Sequence, residues 1–397
     1  MSNWQELEQK YFMHTVERVP VTLVRGQEAR VWDEDGREYL DFVGGWAVNS
    51  LGHCHPAVVD ALVEQARTLI QASNQFYTIP QVRLAELLVQ NSCLDKVFFC
   101  NSGAEANEGA VKLARRYGKL HLNGAYEVIT TMNSFHGRTL AMVAATGQPK
   151  FQQPYSPLPV GFINVEYNSI EAIKAATTSQ TCAVMLETVQ GEGGVNLPDD
   201  NYLTAVRAWC DQTGILLILD EIQTGLGRTG TLFAYEQYGV EPDIMTLAKG
   251  LASGTPIGAI LAKDRTSVFT PGEHGSTYGG NPLACAAGHA TVKFIIDNDI
   301  AGNAKKVGQY LVTRLEGLRP KFQFITDVRG RGLLVAMEFS SDIAKSVVMA
   351  CLDGGLLVNR LKPNTLRFMP PLIISNDEVD EALAILDRAL SSIDSEG

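Results

Sequence analysis

No stretch of the 397-residue chain approaches the run of about 20 apolar residues that a bilayer-spanning helix requires. Basic residues are outnumbered, 33 Lys and Arg against 44 Asp and Glu. The net charge of −11 argues against a nucleic-acid backbone as partner, although it leaves anionic small molecules open because a site responds to local charge. The seven cysteines (54, 93, 100, 182, 210, 285 and 351) are scattered and never spaced as CxxC. That pattern fits a reducing compartment and buried thiols rather than a disulfide framework. His53-Cys54-His55 is the one place where metal ligands crowd together. Adjacent residues rarely converge on one tetrahedral ion, so no metal site is expected. Met1-Ser2-Asn3-Trp4-Gln5-Glu6 has neither the apolar core of a signal peptide nor the acid-poor character of a transit sequence. A cytoplasmic protein is therefore expected.

There is ample material for a core, with 45% apolar and 19% charged residues, and the length suits two domains. An entry segment (1–55) carries a strand-like pair, Ala29–Trp32 and Glu38–Phe42, joined at Asp35-Gly36. From 56 to 291, short apolar runs alternate with amphipathic helices: Val97–Cys100, Val128–Thr131, Ala183–Leu186, Ile215–Leu219, Ile244–Leu247 and Ile257–Leu261. Runs of this kind predict an α/β domain whose mostly parallel sheet is covered on both faces. Residues 292–397 read as a smaller α+β domain. It has a helix over Ala304–Leu318, a tight connection at Arg329–Gly332 and a helix near Asp342–Leu352. Strands at Leu356–Asn359 and Thr365–Phe368 follow, then a last helix opened by the Ser375–Glu378 capping box.

Four features fall at strand ends of the larger unit, where ligands collect in open α/β sheets. Asn101-Ser102-Gly103-Ala104-Glu105 opens a helix and presents free amides and a positive dipole end to an anion such as phosphate. Ser102 and Glu105 also form a plain capping box. Asp220 ends the most apolar run, where a carboxylate needs a cation or donors; a protonated pyridine nitrogen is one such cation, and an Asp capping the next loop is the simpler reading. Lys249 sits between apolar flanks and Gly250, a setting for an amine of lowered pKa able to form an imine. Phe135-His136-Gly137-Arg138 offers a ring to stack and a guanidinium to clamp a carboxylate. Gly225–Gly230 matches GxGxxG, but Asp220–Thr224 separates it from the strand and no helix follows, so dinucleotide binding is not expected.

Taken together, these segments resemble the class III, fold-type I aminotransferases over nearly the whole length. Gln190–Gly194, Leu219–Arg228, Ser276–Pro282 and Leu366-Arg367-Phe368 carry the likeness as well. The resemblance implies a seven-stranded, mostly parallel sheet and pyridoxal 5′-phosphate as cofactor. It implies that Lys249 joins the cofactor covalently and acts as the proton-transferring base. Asp220 would meet the pyridine nitrogen, Gln223 the ring hydroxyl and Phe135 the ring face. Gly103 and Ala104, with Ser102 beside them, would hold the phosphate. Thr277 would reach the phosphate of a neighbouring subunit, with Ser276 near the substrate, which implies a homodimer with shared sites. Arg138 would bind the carboxylate remote from the reacting amine. Arg367 and Glu192 would form a switch: Arg367 takes the α-carboxylate of glutamate, and Glu192 neutralises Arg367 when a terminal amine is bound.

The implied reaction passes the terminal amine of N-acetylornithine, or a close acylated diamino acid, to 2-oxoglutarate. It would serve arginine biosynthesis, or lysine biosynthesis with an acylated lysine relative. Ornithine, succinylornithine and 4-aminobutyrate are alternative donors, and an aminomutase or racemase would be a different use of the same site. Thr15-Val16-Glu17-Arg18 in place of a Thr-Tyr-Gly-Arg stretch, Trp46, and Glu187-Thr188 in place of Glu-Pro depart from the family pattern, and residues near the entry segment can line the substrate mouth.

Overall fold

The computed structural model describes residues 3–394. The extreme ends, included above in the flanking segments and the targeting argument, lie outside the described residues. Among the described residues, fifteen strands form three sheets. They are β1 (Leu23–Gln27), β2 (Arg30–Asp33), β3 (Glu38–Asp41), β4 (Lys96–Cys100), β5 (Glu127–Thr131), β6 (Phe162–Val165), β7 (Thr181–Glu187), β8 (Leu216–Asp220), β9 (Ile244–Leu247), β10 (Gly258–Ala262), β11 (Ile325–Arg331), β12 (Leu334–Phe339), β13 (Leu356–Leu357), β14 (Asn359–Lys362) and β15 (Thr365–Phe368).

The central sheet has seven strands in the order β4-β10-β9-β8-β7-β5-β6. Every pairing is parallel except those of β10, which runs antiparallel to both β4 and β9. All residues of β7, β8, β9 and β10 are buried. That is why these runs read as continuous apolar stretches rather than as alternating ones: helices cover both faces. All six expected strands are present. β6 was not expected, and its half-buried residues at the sheet edge explain the weak signal.

The smaller C-terminal sheet, β11-β12-β15-β14, is antiparallel throughout. Here the sequence reading needs correction. Arg329–Arg331 lies within β11 rather than in a connection, and the turn falls at Gly332 (φ 55°) and Leu333. The expected strand Leu356–Asn359 is split. β13 leaves to pair in parallel with β3, and β14 starts at Asn359. The N-terminal sheet is therefore β1-β2-β3-β13, with three strands from the entry segment instead of two. Helix Pro282–Asp297 runs across position 291. The last helix, Asn376–Asp394, is opened as expected: Ser375 Oγ accepts from Glu378 N, and Glu378 accepts from Ser375 N. No helix among the described residues is long and apolar enough to cross a membrane.

Candidate active site

A cavity of about 450 Å³ opens at the carboxyl ends of the parallel strands, lined by Ser102, Gly103, Ala104, Phe135, Arg138, Glu192, Asp220, Gln223 and Lys249. Each lining residue is set by its element. Helix Gly103–His121 is capped by Ser102, whose Oγ accepts from Glu105 N at 3.2 Å. Glu105 does not close the box on Ser102; its carboxylate takes Asn101 N at 2.6 Å instead. The first amides of any helix have no carbonyl within it to bond, so those of Gly103 and Ala104 are available to a ligand in the cavity they line. A Cβ at Gly103 would lie 2.8 Å from Ile222 Cδ1, so a larger residue there requires the Ile222 side chain to move.

Asp220 ends β8 and is nearly fully buried. Oδ2 accepts from Asn107 Nδ2 at 2.7 Å and lies 2.8 Å from His136 Nδ1. Oδ1 accepts from Ile222 N at 3.0 Å, so the loop-capping reading also holds. Asn107 is in turn fixed by Thr246 on β9 and by the His136 carbonyl. The carboxylate is thus held rigidly at the cavity wall. Sequence reasoning gives Asn107 no role and takes His136 only as part of the Phe135–Arg138 motif. A polar residue in the buried stripe of Ala106, Asn107, Ala110 and Val111 was the signal available for the first of them.

Lys249 follows β9 with φ 39°, a left-handed conformation that a non-glycine residue holds only where its surroundings enforce it. Desolvation lowers its ammonium pKa; the Glu192, Asp220 and Glu187 carboxylates oppose this, and Arg367 adds to it. Glu187, at the end of β7, was noted only as a departure from pattern. It is buried, accepts from Phe135 N (2.9 Å) and Gly191 N (3.3 Å), and burial and Asp220 push its pKa well above the usual carboxylate range.

Arg367 on β15 does not line the cavity but pairs with Glu192, which does, at 2.8 Å. The guanidinium is 1% exposed and donates also to Asn359 Oδ1, Gly191 O and Gln223 Oε1. Gln223 Nε2 donates to Glu192 at 3.2 Å. Burial pushes the Glu192 pKa up, but Arg367 and Lys249 outweigh it and bring the value down to about 2. Arg138 stays exposed, its guanidinium 3.9 Å from the Phe151 ring centre and 5.3 Å from that of Phe135.

Two further expected residues, like Arg367, lie outside this cavity. Ser276 Oγ accepts from Asn101 Nδ2 and Gly279 N, just behind the pocket wall. Thr277 is exposed on the neighbouring surface. The GxGxxG segment makes a series of turns with positive φ at Leu226, Gly227 and Gly230. Its Arg228 is buried and donates to the carbonyls of Leu333 and Pro370, so the segment is a structural connector. His53 pairs with Asp41, and His55 caps helix Pro56–Thr68, so the two point to separate partners.

A flat aromatic aldehyde bearing a phosphate fits this arrangement. Free helix amides lie on the cavity wall, and a buried carboxylate, a desolvated amine and a ring complete it. The family model for class-III aminotransferases matches residues 11–390, and the chain belongs to that family. It is an aminotransferase that uses pyridoxal 5′-phosphate, which supplies a carbon reactive toward amines and an electron-withdrawing ring.

Among curated relatives, it is 52% identical to acetylornithine aminotransferase of Caldanaerobacter subterraneus, over 97% of this chain and 98% of that one. It is 49% identical to that of Methanocaldococcus jannaschii, over 98% of each. Among solved structures, ornithine aminotransferase of Toxoplasma gondii superposes with a TM-score of 0.96 at 34% identity, covering 99% of this chain and 96% of that chain. N-acetylornithine aminotransferase of Stenotrophomonas maltophilia gives 0.86 at 38%, covering 99% and 100%.

Proposed function

We propose that this aminotransferase takes the terminal amine of N-acetylornithine and delivers it to 2-oxoglutarate, in the cytoplasm and in the service of arginine biosynthesis. The likeness to acetylornithine aminotransferases supports the choice of donor, and the buried Arg367–Glu192 pair supports a terminal amine as its reacting end. One site must accept glutamate, whose α-carboxylate lies beside the reacting amine, and also a donor whose reacting end has no carboxylate. An arginine that can be covered by its own carboxylate meets both demands, because a buried guanidinium stripped of its partner costs about 3–5 kcal/mol.

The other roles follow from position. Lys249 Nζ, its pKa lowered by desolvation, would hold the cofactor and move the proton at the carbon bearing the amine. Asp220, fixed by Asn107 and His136, would hold the proton on the pyridine nitrogen. Phe135 would cover the ring. The Gly103 and Ala104 amides, with Ser102, would take the phosphate, and Gln223 the ring hydroxyl. Arg138 would bind the donor's distant carboxylate.

Thr277, and Ser276 near it, would complete the site of a second copy in a homodimer. The exposed apolar residues Phe76, Tyr77, Ile79 and Tyr278 support that arrangement. We further propose three units, 1–55, 56–291 and 292–397. The β3–β13 pairing ties the first to the last, and helix Pro282–Asp297 joins the second to the third.

The test is a panel of N-acetylornithine, succinylornithine, ornithine and 4-aminobutyrate with 2-oxoglutarate, reading glutamate formed by the reconstituted enzyme. N-acetylornithine should show the highest kcat/KM; a higher value for any other donor would displace it. Lys249→Ala should fold normally and lose glutamate production. Substantial turnover by that variant would overturn the role of Lys249.

A further inference from the structure

Glu192 sits on a four-residue helical turn, Gly191–Gly194. Three of its four residues are glycine, and each is closely approached. A Cβ at Gly191 would lie 1.7 Å from Gln223 Oε1, one at Gly193 2.1 Å from Asn133 O, and one at Gly194 2.8 Å from Lys362 Nζ. The turn leaves through Gly194 at φ 144° into Val195 at φ 53°. A β-branched residue in the left-handed region is strained, and such a conformation persists only where the surroundings enforce it. The peptide joining these two residues presents the Gly194 carbonyl. Arg329 donates to that oxygen twice, from Nη2 at 2.8 Å and Nε at 3.1 Å. Arg329 is itself aimed by two carboxylates, Asp327 at 2.6 Å and Glu338 at 2.8 Å.

The sheet register explains why this arginine reaches the turn. Arg329 on β11 pairs with Ala336 on β12, and Ala336 pairs with Arg367 on β15. Residues directly opposite across neighbouring strands point to the same face. Two arginines of one row therefore grip the two ends of the Glu192 turn: Arg367 holds Gly191 O, and Arg329 holds Gly194 O. Their tasks differ. Arg367 must release Glu192 whenever it takes a substrate carboxylate. Arg329 does not line the cavity, and its bonds go to Gly194 O, Asp327 and Glu338, so it has no reason to let go.

We propose that Arg329 is a positioning residue for substrate selection, the fixed arm that holds the Glu192 turn in place so that Glu192 returns to Arg367 when a terminal amine is bound. This rests on the switch role given above to Arg367 and Glu192. With the turn held, exchange of partners needs only side-chain rotation at Glu192. Without Arg329, the strained exit at Val195 relaxes, Glu192 is held less well over Arg367, and the donor without a carboxylate at its reacting end suffers most.

The experiment uses the holoenzyme in single-turnover half-reactions, one with glutamate and one with the best terminal-amine donor of the panel. The readout is the ratio of the donor's kcat/KM to that of glutamate. Arg329→Met should lower this ratio by about tenfold, the equivalent of one charge-assisted hydrogen bond. Arg329→Lys, which keeps the charge but not the forked pair of donors, should fall between Met and wild type. A residue needed only for folding would lower the melting temperature and both rates together, leaving the ratio alone; that result overturns the proposal. Glu192→Gln separates the two levels of the argument. If it lowers the ratio and Arg329→Met does not, the inference about Arg329 fails and the switch stands. If Glu192→Gln leaves the ratio unchanged, the switch itself is wrong and Arg329's role falls with it.

Discussion

Replacing Glu192 by Gln removes one charge from the cavity and keeps the shape, so its effect isolates the electrostatic part of the Arg367 pair. Two figures bound the magnitude. The fall in the Glu192 pKa from 4.5 to about 2 corresponds to about 3 kcal/mol of preference for the ionised form, of which Lys249 supplies a share. A hydrogen bond to a charged group contributes about 1.5–3 kcal/mol. Glu192 keeps 29% of its side chain exposed, and Arg367 retains Asn359, Gly191 and Gln223 as acceptors, which places the loss near 2 kcal/mol. In the half-reaction with a terminal amine, kcat/KM should therefore drop by about 30-fold. The glutamate half-reaction should move the other way. There, on the proposed switch, the substrate carboxylate would replace Glu192 on Arg367 and no longer compete with it, so the KM for glutamate should fall. Rapid mixing of each amine with the holoenzyme, followed by the cofactor's absorbance, measures both. Equal losses in the two half-reactions would refute the argument, because they would mean that Glu192 serves both substrates alike.

Three further outcomes follow from the same geometry. Desolvation gives Lys249 a lower pKa in the folded protein than in the unfolded chain, so between those two values the unfolded chain binds more protons and apo-protein stability rises with pH. Apo Lys249→Met should therefore melt above the wild-type apo form at neutral pH, with the gap narrowing as pH approaches the ordinary lysine range; a gap independent of pH in calorimetry would contradict this. Asn107→Ala removes a fully buried amide bonded to Asp220, the His136 carbonyl and Thr246, and should cost about 2–3 kcal/mol in urea unfolding; a loss below about 0.5 kcal/mol would show that the network is slack. Arg138→Ala should raise the KM of a carboxylated donor by about tenfold while leaving a terminal amine without a carboxylate unaffected, and an unchanged KM for the carboxylated donor would remove Arg138 from the site.

Much of the central sheet was legible because burial on both faces writes itself into local composition. Six of its seven strands stand out as short apolar runs, and the seventh, β6, is hidden by its half-buried edge position. The placement of Ser102–Ala104, Asp220 and Lys249 at strand ends could be read for the same reason, since each motif is contiguous with the run that positions it. The C-terminal sheet was read less well. Arg329–Gly332 looks like a turn because glycine and arginine alternate, yet Arg329 to Arg331 continue β11. Leu356–Leu357 looks like part of one strand with Asn359, but its hydrogen bonds go to β3, more than 300 residues earlier.

Alone, the sequence determined where six strands of the central sheet lie, which helix has free amides at its start and which lysine stands beside the site, because these depend on neighbours along the chain. Only the tertiary structure decided what each charge meets. Arg367 finds Glu192 from 175 positions away, Asn107 and His136 converge on Asp220, and Arg329 falls into line with Arg367 through the register of three strands. Strand order and register come from long-range pairing and side-chain packing, which no local pattern encodes.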